Sequence, residues 1–466
     1  MPRVIPWSSS ALFYDGGEMR ILICMLVAAL MAACGGSGGG SAGPQTGTDE
    51  CSNDGQKQFV LDNLYAWYLW NDLLPANISI NDYASPEELI VRVTEDFGPQ
   101  DANGQPIDRF SFVRSLQAEQ DFLDGTAGEL FGFSYRFVDE AVTDFRIVRV
   151  LSGSPAEGGG LARGQRILTL NGRSVTEIAG SEGVSTFFSN NATVEFEIER
   201  PGDNEFTTIT KAAITIEPVP QWRLIDRGAG VAPVGYMQLD TFIDAANPAF
   251  DTAFAAFKAA GANDVIIDMR YNSGGLVRTA NLLGDYLGGL VAENLVFSVT
   301  EFNADRAAAN NSTEFFDRLG NSISLSQFVL IATRGTASAG ELVTNGMIPH
   351  VNTAIVGDRT AGKSFGQIGL GFCDKIMRPG AFRYANADGD TDFFDGLPVD
   401  CAAPDDLSTE IGADDDPNVI AALSYLSTGA CPAVAAQGGQ QKLEYAAPLR
   451  ESDRRASPAR DYLDAY

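Results

Sequence analysis

The chain predicts an α/β core over residues 219–428, preceded by a strand-rich region over 127–218 and a small helical region over 56–126. Three observations carry this. Apolar residues recur at helical spacing in the first region, short strand-like runs separated by turn residues fill the second, and apolar strand runs alternate with helix-competent runs in the third. At 466 residues, with 45% hydrophobic and 20% charged, the chain can bury more than one core. Its formal net charge of -29 excludes a nucleic-acid footprint, which needs clustered Lys and Arg, and simple adsorption to anionic lipid.

Residues 1–34 read as a leader. From Met19 a basic residue, Arg20, is followed by a short apolar stretch and by small residues before a cysteine, as in a secretory signal, and the stretch is too short for a comfortable membrane span. Met31-Ala32-Ala33-Cys34 resembles a bacterial lipobox, although that pattern prefers Leu where Met31 stands, and it implies lipid attachment at Cys34. The alternative is an ordinary cleaved signal with a coincidental cysteine. Residues 1–18 fit no signal, and Gly16-Gly17-Glu18 would be encoded by a purine-rich stretch resembling a ribosome-binding site, so translation is expected to start at Met19. Residues 35–55, rich in Gly, Ser, Thr and Asp, read as a flexible tether. Cys51, Cys373, Cys401 and Cys431 then remain, an even number suited to an oxidising compartment. Of three connectivities, Cys373 with Cys401 is the expected one, because the pair brackets one loop-rich segment; four buried thiols are the alternative. No CxxC or HxxxH spacing marks a structural zinc site.

In the helical region Phe59, Val60, Leu64, Trp67 and Tyr68 recur at helical spacing over 56–74, and Pro75 closes the run. The aromatic residues of 65–70 read as core and not as a ligand platform. Ser85-Pro86-Glu87-Glu88 predicts a second helix, with Ser85 as cap, Pro86 in the first turn and Glu88 completing a capping box.

Strand-like runs follow at 131–135, 145–150, 166–170 and 193–198, with Asn171-Gly172 as a turn. Ser154-Pro155-Ala156 followed by Gly160-Leu161-Ala162-Arg163-Gly164 resembles the centre of a PDZ domain, with Gln165 where many such domains carry Asp. The resemblance implies that Phe131-Gly132-Phe133 is a carboxylate-binding loop, its N–H groups receiving a peptide C-terminus while the peptide adds a strand.

Buried-strand candidates in the core are 235–239, 264–269, 328–332 and 353–356, each leading into a Gly-rich or polar loop, where α/β sites usually sit. The tail over 429–466 is Ala, Gln, Gly and charge.

Two loops carry chemistry. Ser338 follows one strand and begins a helix-competent run, so that helix N–H groups favour negative charge developing there. Locally, Ser338-Ala339-Gly340-Glu341 is also a capping box. Lys363 lies downstream, in Thr360-Ala361-Gly362-Lys363-Ser364-Phe365-Gly366-Gln367. A serine hydroxyl needs an adjacent base, and a lysine desolvated into its neutral form can serve, depressed from about 10.4 by up to ~3–5 units when fully buried. His350 is the only histidine and, beside Pro349, reads as a helix-end residue and not a base.

Strand, Ser-Ala-x-Glu helix, strand and Thr-x-Gly-Lys-x-x-x-Gln together resemble the carboxyl-terminal processing, or tail-specific, protease family. Asp268-Met269-Arg270-Tyr271-Asn272-Ser273-Gly274-Gly275 resembles its Asp-Leu-Arg-x-Asn-x-Gly-Gly element. The resemblance covers roughly residues 128–428, and the Trp/Tyr-rich helix and the segment 393–401 look like a lipoprotein branch. It implies a ClpP/crotonase-like α/β catalytic core with a PDZ-like domain and a small N-terminal helical domain. By position it makes Ser338 the nucleophile, Lys363 the general base and Gln367 the group orienting the lysine. The N–H of Ala339, with that of Gly274 or Gly275, becomes the oxyanion hole. Gly340 stands where Ser is common and Ser364 where Gly is frequent; neither removes a required group. No metal or organic cofactor is implied. Partners are protein or peptide substrates recognised through their C-termini, without nucleic acid, and the expected location is the bacterial envelope, lipid-anchored and extracytoplasmic.

Two other readings compete. Gly357-Asp358-Arg359-Thr360-Ala361-Gly362-Lys363-Ser364 satisfies the phosphate-loop pattern after a strand, but leaves Ser338, Gly274-Gly275 and the PDZ-like region unexplained. The other is a catalytically silent PDZ-type scaffold, which the presence of Ser338, Lys363 and Gln367 disfavours.

Overall fold

The computed structural model describes residues 50–139 and 141–432. Met19, Cys34, most of the expected tether and most of the tail therefore lie outside the described residues.

The first helix spans Asn53–Trp67, with Ser52 Oγ accepting the Gly55 N–H at 3.1 Å. It starts inside the stretch expected as tether and ends well before residue 74. The chain leaves the helix because the Leu69 N–H turns to the Gly380 carbonyl at 2.8 Å, and Asn71 Nδ2 donates to the Tyr65 carbonyl at 2.9 Å. The second helix, Pro86–Phe97, is capped as expected by Ser85, whose Oγ accepts the Glu88 N–H at 3.2 Å. Glu88 Oε2 reaches the Ala84 N–H at 2.7 Å, one residue ahead of the usual box partner. This region is not purely helical: strand Phe112–Ser115 pairs antiparallel with Lys375–Arg378. Val60, Leu64, Trp67 and Val93 accordingly share a core with Leu370, Phe372 and Met377 of the third region.

The middle region forms an antiparallel sheet in the order Phe133–Phe137, Phe145–Val150, Arg166–Leu170, Thr193–Ile198, Glu205–Thr210. Three of the four predicted runs match these strands end to end. Asn171 and Gly172 both have positive φ, 50° and 72°, as a two-residue turn matched to strand twist requires. Helices Val175–Ser181 and Val184–Asn190 supply Ile178, Phe187 and Phe188 to this core.

The third region is built on a six-stranded sheet ordered Gln221–Ile225, Val234–Gln238, Asp264–Asp268, Gln327–Ala332, Asn352–Gly357, Cys401–Ala402. Only the first pair is antiparallel. Both faces are covered, which is why its strands read as unbroken apolar runs. Val265, Ile267, Phe328 and Leu330 meet Phe250, Leu283 and Val343 on one side; Ile266, Val329 and Ile331 meet Val419 and Leu426 of helix Pro417–Thr428 on the other. A second, antiparallel sheet holds Ser312–Phe315, Val296–Phe302, Gly380–Ala385 and Phe365–Gln367.

The disulfides are Cys51–Cys373 and Cys401–Cys431, which overturns the expected Cys373–Cys401 pair. Cys401 sits on the sheet edge, where helix Pro417–Thr428 packs back and delivers Cys431. Cys373 lies in the turn between Leu370–Phe372 and Lys375–Arg378, facing the start of the first helix.

Candidate active site

Ser338 stands at the C-terminal end of strand Gln327–Ala332, heading helix Ala339–Met347. Its φ of 52° and ψ of -110° are rare for a residue with a Cβ, so the turn is strained and must be held by its surroundings. Two contacts hold it against the neighbouring loop: Thr336 Oγ1 donates to the Met269 carbonyl at 2.8 Å, and the Ala337 N–H to the Asn272 carbonyl at 3.0 Å.

Glu341, one turn into the helix and fully buried, draws the two chemical loops together. Its Oε2 accepts the Ser338 N–H at 2.8 Å and the Lys363 N–H at 2.9 Å. Its Oε1 accepts the Gly362 N–H at 2.7 Å and the Thr360 hydroxyl at 2.5 Å. Burial pushes this carboxyl up, and the four donors pull it back. Sequence reasoning saw Glu341 only as a capping partner; its second role needs Lys363 beside it, which no local pattern announces.

Lys363 Nζ donates to Gln367 Oε1 at 2.7 Å. Gln367 is oriented in turn, its Nε2 donating to the carbonyls of Phe110 at 2.7 Å and Arg378 at 2.9 Å. Tyr384, buried and missed by sequence reasoning, donates its hydroxyl to the Lys363 carbonyl at 3.0 Å. Burial and the negative charge of Glu341 raise the Tyr384 phenol, while the Ser338 hydroxyl pulls it the other way. Lys363 leads into strand Phe365–Gln367, so the helix N-terminus that a phosphate loop needs is missing from this motif.

Gly274 and Gly275 follow strand Asp264–Asp268 with φ of 111° and 139°. A Cβ on Gly274 would lie 2.8 Å from Ser338 Cβ and 3.1 Å from the Ala339 nitrogen, so this glycine is pressed against the candidate nucleophile. Its N–H donates to Asn272 Oδ1 at 2.8 Å. Asp268 accepts the Tyr236 hydroxyl at 2.9 Å and pairs with Arg270 at 2.7 Å; Arg270 also meets Asp416 at 2.5 Å. Asp268 is thus part of a buried ion-pair network, and among the described residues no group of His, Cys, Asp and Glu is placed to hold a metal.

Ser338, Ala339, Lys363, Gln367, Gly274 and Gly275 therefore lie in one woven set of loops. Phe131, Gly132 and Phe133 lie elsewhere, at the start of strand Phe133–Phe137 of the middle region. Gly132 has a φ of 88°, and a Cβ there would fall 2.2 Å from Ser154 Cβ. Phe131 and Phe133 are buried against Phe188 and Phe196. His350 sits beyond the far end of the Ser338 helix, with Nε2 2.9 Å from the Val296 carbonyl.

Comparison with known proteins gives a consistent picture. The family description "Peptidase family S41" matches residues 233–400, and "Peptidase S41 N-terminal domain" matches residues 55–112. The carboxyl-terminal-processing protease of Synechocystis sp. is 28% identical over 259 residues, 54% of this chain and 58% of that protein. The carboxy-terminal processing protease CtpA of Bacillus subtilis is 25% identical over 256 residues, 54% of this chain and 52% of that protein. The chain thus aligns with little more than half the length of these curated relatives. A solved structure described as an S41 protease of Bacteroides fragilis shares the fold, with a TM-score of 0.64 at 23% identity over 80% of this chain and 97% of that one. The core and the N-terminal region are thus each similar to a domain of peptidase family S41.

Proposed function

We propose that this protein is a serine endopeptidase of the carboxyl-terminal processing type, acting through Ser338 and Lys363. The observation that carries the reading is the shared carboxylate oxygen: Glu341 Oε2 accepts the N–H of both residues, which sets their backbones side by side. Ser338 Oγ attacks the scissile carbonyl while the neutral Lys363 amine takes its proton, then returns it to the leaving amine. Water, activated by the same lysine, resolves the acyl-enzyme. Gln367 holds the amine in place. Ala339 and Gly275 are the N–H donors for the oxyanion, since the Gly274 N–H is engaged by Asn272.

Substrate recognition is assigned to the middle region read as a PDZ-like domain. Strand Phe133–Phe137 pairs on one side only, within the sheet order above, which leaves an edge to which an extended peptide can add. Gly132 and its neighbours would then receive the terminal carboxylate. Two disulfides among the described residues fit an extracytoplasmic enzyme, held at the envelope by lipid on Cys34.

The test uses the chain from Glu50 onward, which keeps Cys51, with an unstructured protein as substrate, beside Ser338→Ala and Lys363→Ala. Cleavage lost in both variants supports the reading. Cleavage retained in either one sinks it, and binding of free-carboxylate peptides without any cleavage by the parent favours the scaffold.

A further inference from the structure

We propose that Phe110, carried by the N-terminal region, is a positioning residue for the Ser338–Lys363 pair, its carbonyl aiming Gln367 and its ring walling the Lys363 amine off from water. The proposal rests on the reading just given. The core alone does not complete this site: of the two carbonyls that fix the Gln367 amide, one belongs to Phe110. With both N–H bonds of Nε2 directed at carbonyls, Oε1 is left facing Lys363 Nζ at 2.7 Å.

The ring of the same residue lies beside the amine, its centroid 5.3 Å from Lys363 Nζ. It is held from two sides, edge to face with Phe365 at 5.7 Å and beneath the Arg109 guanidinium at 4.7 Å. The backbone that presents it is clamped. Buried Asp108 accepts the N–H of Phe110 at 3.0 Å and of Ser111 at 2.9 Å. Ser111 Oγ accepts the Gly380 N–H at 2.9 Å, and Arg109 Nη2 donates to the Ala361 carbonyl at 2.8 Å. Residues 108–111 are thereby locked to the loop that carries Lys363 and to the strand beside Gln367.

Two effects of the ring oppose each other. Excluding water disfavours the ammonium, whereas the ring face attracts it. At 5.3 Å the attraction is near its ~6 Å outer reach, so exclusion dominates. Of the charged and titratable groups around the lysine, Arg109, which lies over the same ring, also disfavours the ammonium. Glu341 favours it, although four donors hold that carboxylate; Tyr384 is kept neutral by burial, and Arg378 contributes its carbonyl while its guanidinium pairs with Glu119.

The test follows the Lys363 side chain directly, by NMR of the whole chain labelled with 13C-lysine and assigned with Lys363→Arg, alongside the pH dependence of cleavage. In Phe110→Ala the Lys363 midpoint is expected to rise by about one pH unit, and kcat/KM at pH 7 to fall about tenfold, with the rising limb of the profile displaced equally. Phe110→Leu, apolar without a ring, should return both most of the way. Should the alanine variant not fold, Phe110→Gln keeps the volume, brings a polar group to the amine and carries the same expectation. A midpoint that stays in place or falls overturns the proposal, as does lost activity with an unmoved limb. Failure of the underlying reading looks different: Lys363→Ala would still cleave, whatever the NMR midpoint does.

Discussion

Arg163 Nη2 donates to Asp405 Oδ1 at 2.6 Å, joining the middle region to the loop that precedes the last helix. Arg136 reaches the other oxygen of the same carboxylate at 2.9 Å, and Arg270 and the Tyr271 hydroxyl approach from the core side. Burial alone would raise the Asp405 carboxyl, but Arg163, Arg136, Arg270 and Tyr271 together hold it well below the usual carboxylate range. A carboxyl lowered in the folded state stabilises fully above the unfolded value near ~3.9 and loses that contribution as pH falls toward the folded one. Asp405→Asn should therefore cost about 3–5 kcal/mol at pH 7 in urea unfolding, because several buried guanidinium groups lose their charge partner. The gap between variant and parent should shrink below pH ~4; a gap independent of pH would refute the account.

Glu341→Gln replaces an acceptor of four bonds by a group with one acceptor oxygen and a donor that faces N–H groups. Stability should drop by about 1–3 kcal/mol and turnover about tenfold or more, since Ser338 and Lys363 lose their common anchor. Thermal unfolding and peptide turnover read the two effects, and an active, less stable variant would reduce Glu341 to a cap.

Gly274→Ala places a methyl 2.8 Å from Ser338 Cβ on a backbone at φ 111°. Displacement of Ser338 and of the Ala339 N–H should lower kcat by ~10²–10³. Circular dichroism and turnover, measured together, check whether the loss is local. Activity near that of the parent would remove Gly274 from the site.

Much of this was legible beforehand. The four core strands and the turn at Asn171-Gly172 announce themselves because a two-sided sheet demands unbroken apolar runs, and a tight turn demands two residues with positive φ. The antiparallel strands Val296–Phe302 and Gly380–Ala385 went unread, since Ser298, Thr300 and Glu301 in the first and Arg383 in the second break up their apolar runs. Phe110 and Tyr384 were invisible for another reason: they reach the site only through tertiary pairing, of Phe112–Ser115 with Lys375–Arg378 and of Gly380–Ala385 with Phe365–Gln367. The disulfide pairing failed likewise, because nearness in sequence was taken for nearness in space.

Asp285 supplies a pH dependence away from the site. Burial pushes its carboxyl up to about 7, with Asp317 and Glu314 adding repulsion against the Asp317 N–H bond of 2.7 Å. A raised carboxyl stabilises fully below the unfolded value near ~3.9, and that contribution is lost as pH rises through the folded one. Asp285→Asn keeps the acceptor and removes the titration. It should gain on the parent between pH 4 and 8, by about 1 kcal/mol once partial solvent screening is counted. Denaturant midpoints across that range would show it, and a constant offset would not fit.

The Cys51–Cys373 bridge closes across 322 positions of sequence, and so decides how mechanical load enters the molecule. Tension on the chain ahead of Cys51 passes through the sulfurs into the turn between Leu370–Phe372 and Lys375–Arg378, a hairpin sewn to Phe112–Ser115 by sheet bonds. Helix Asn53–Trp67 begins just beyond that junction and is left out of the load path. Pulling from the N-terminal side thus loads a β-hairpin and does not unwind a helix turn by turn.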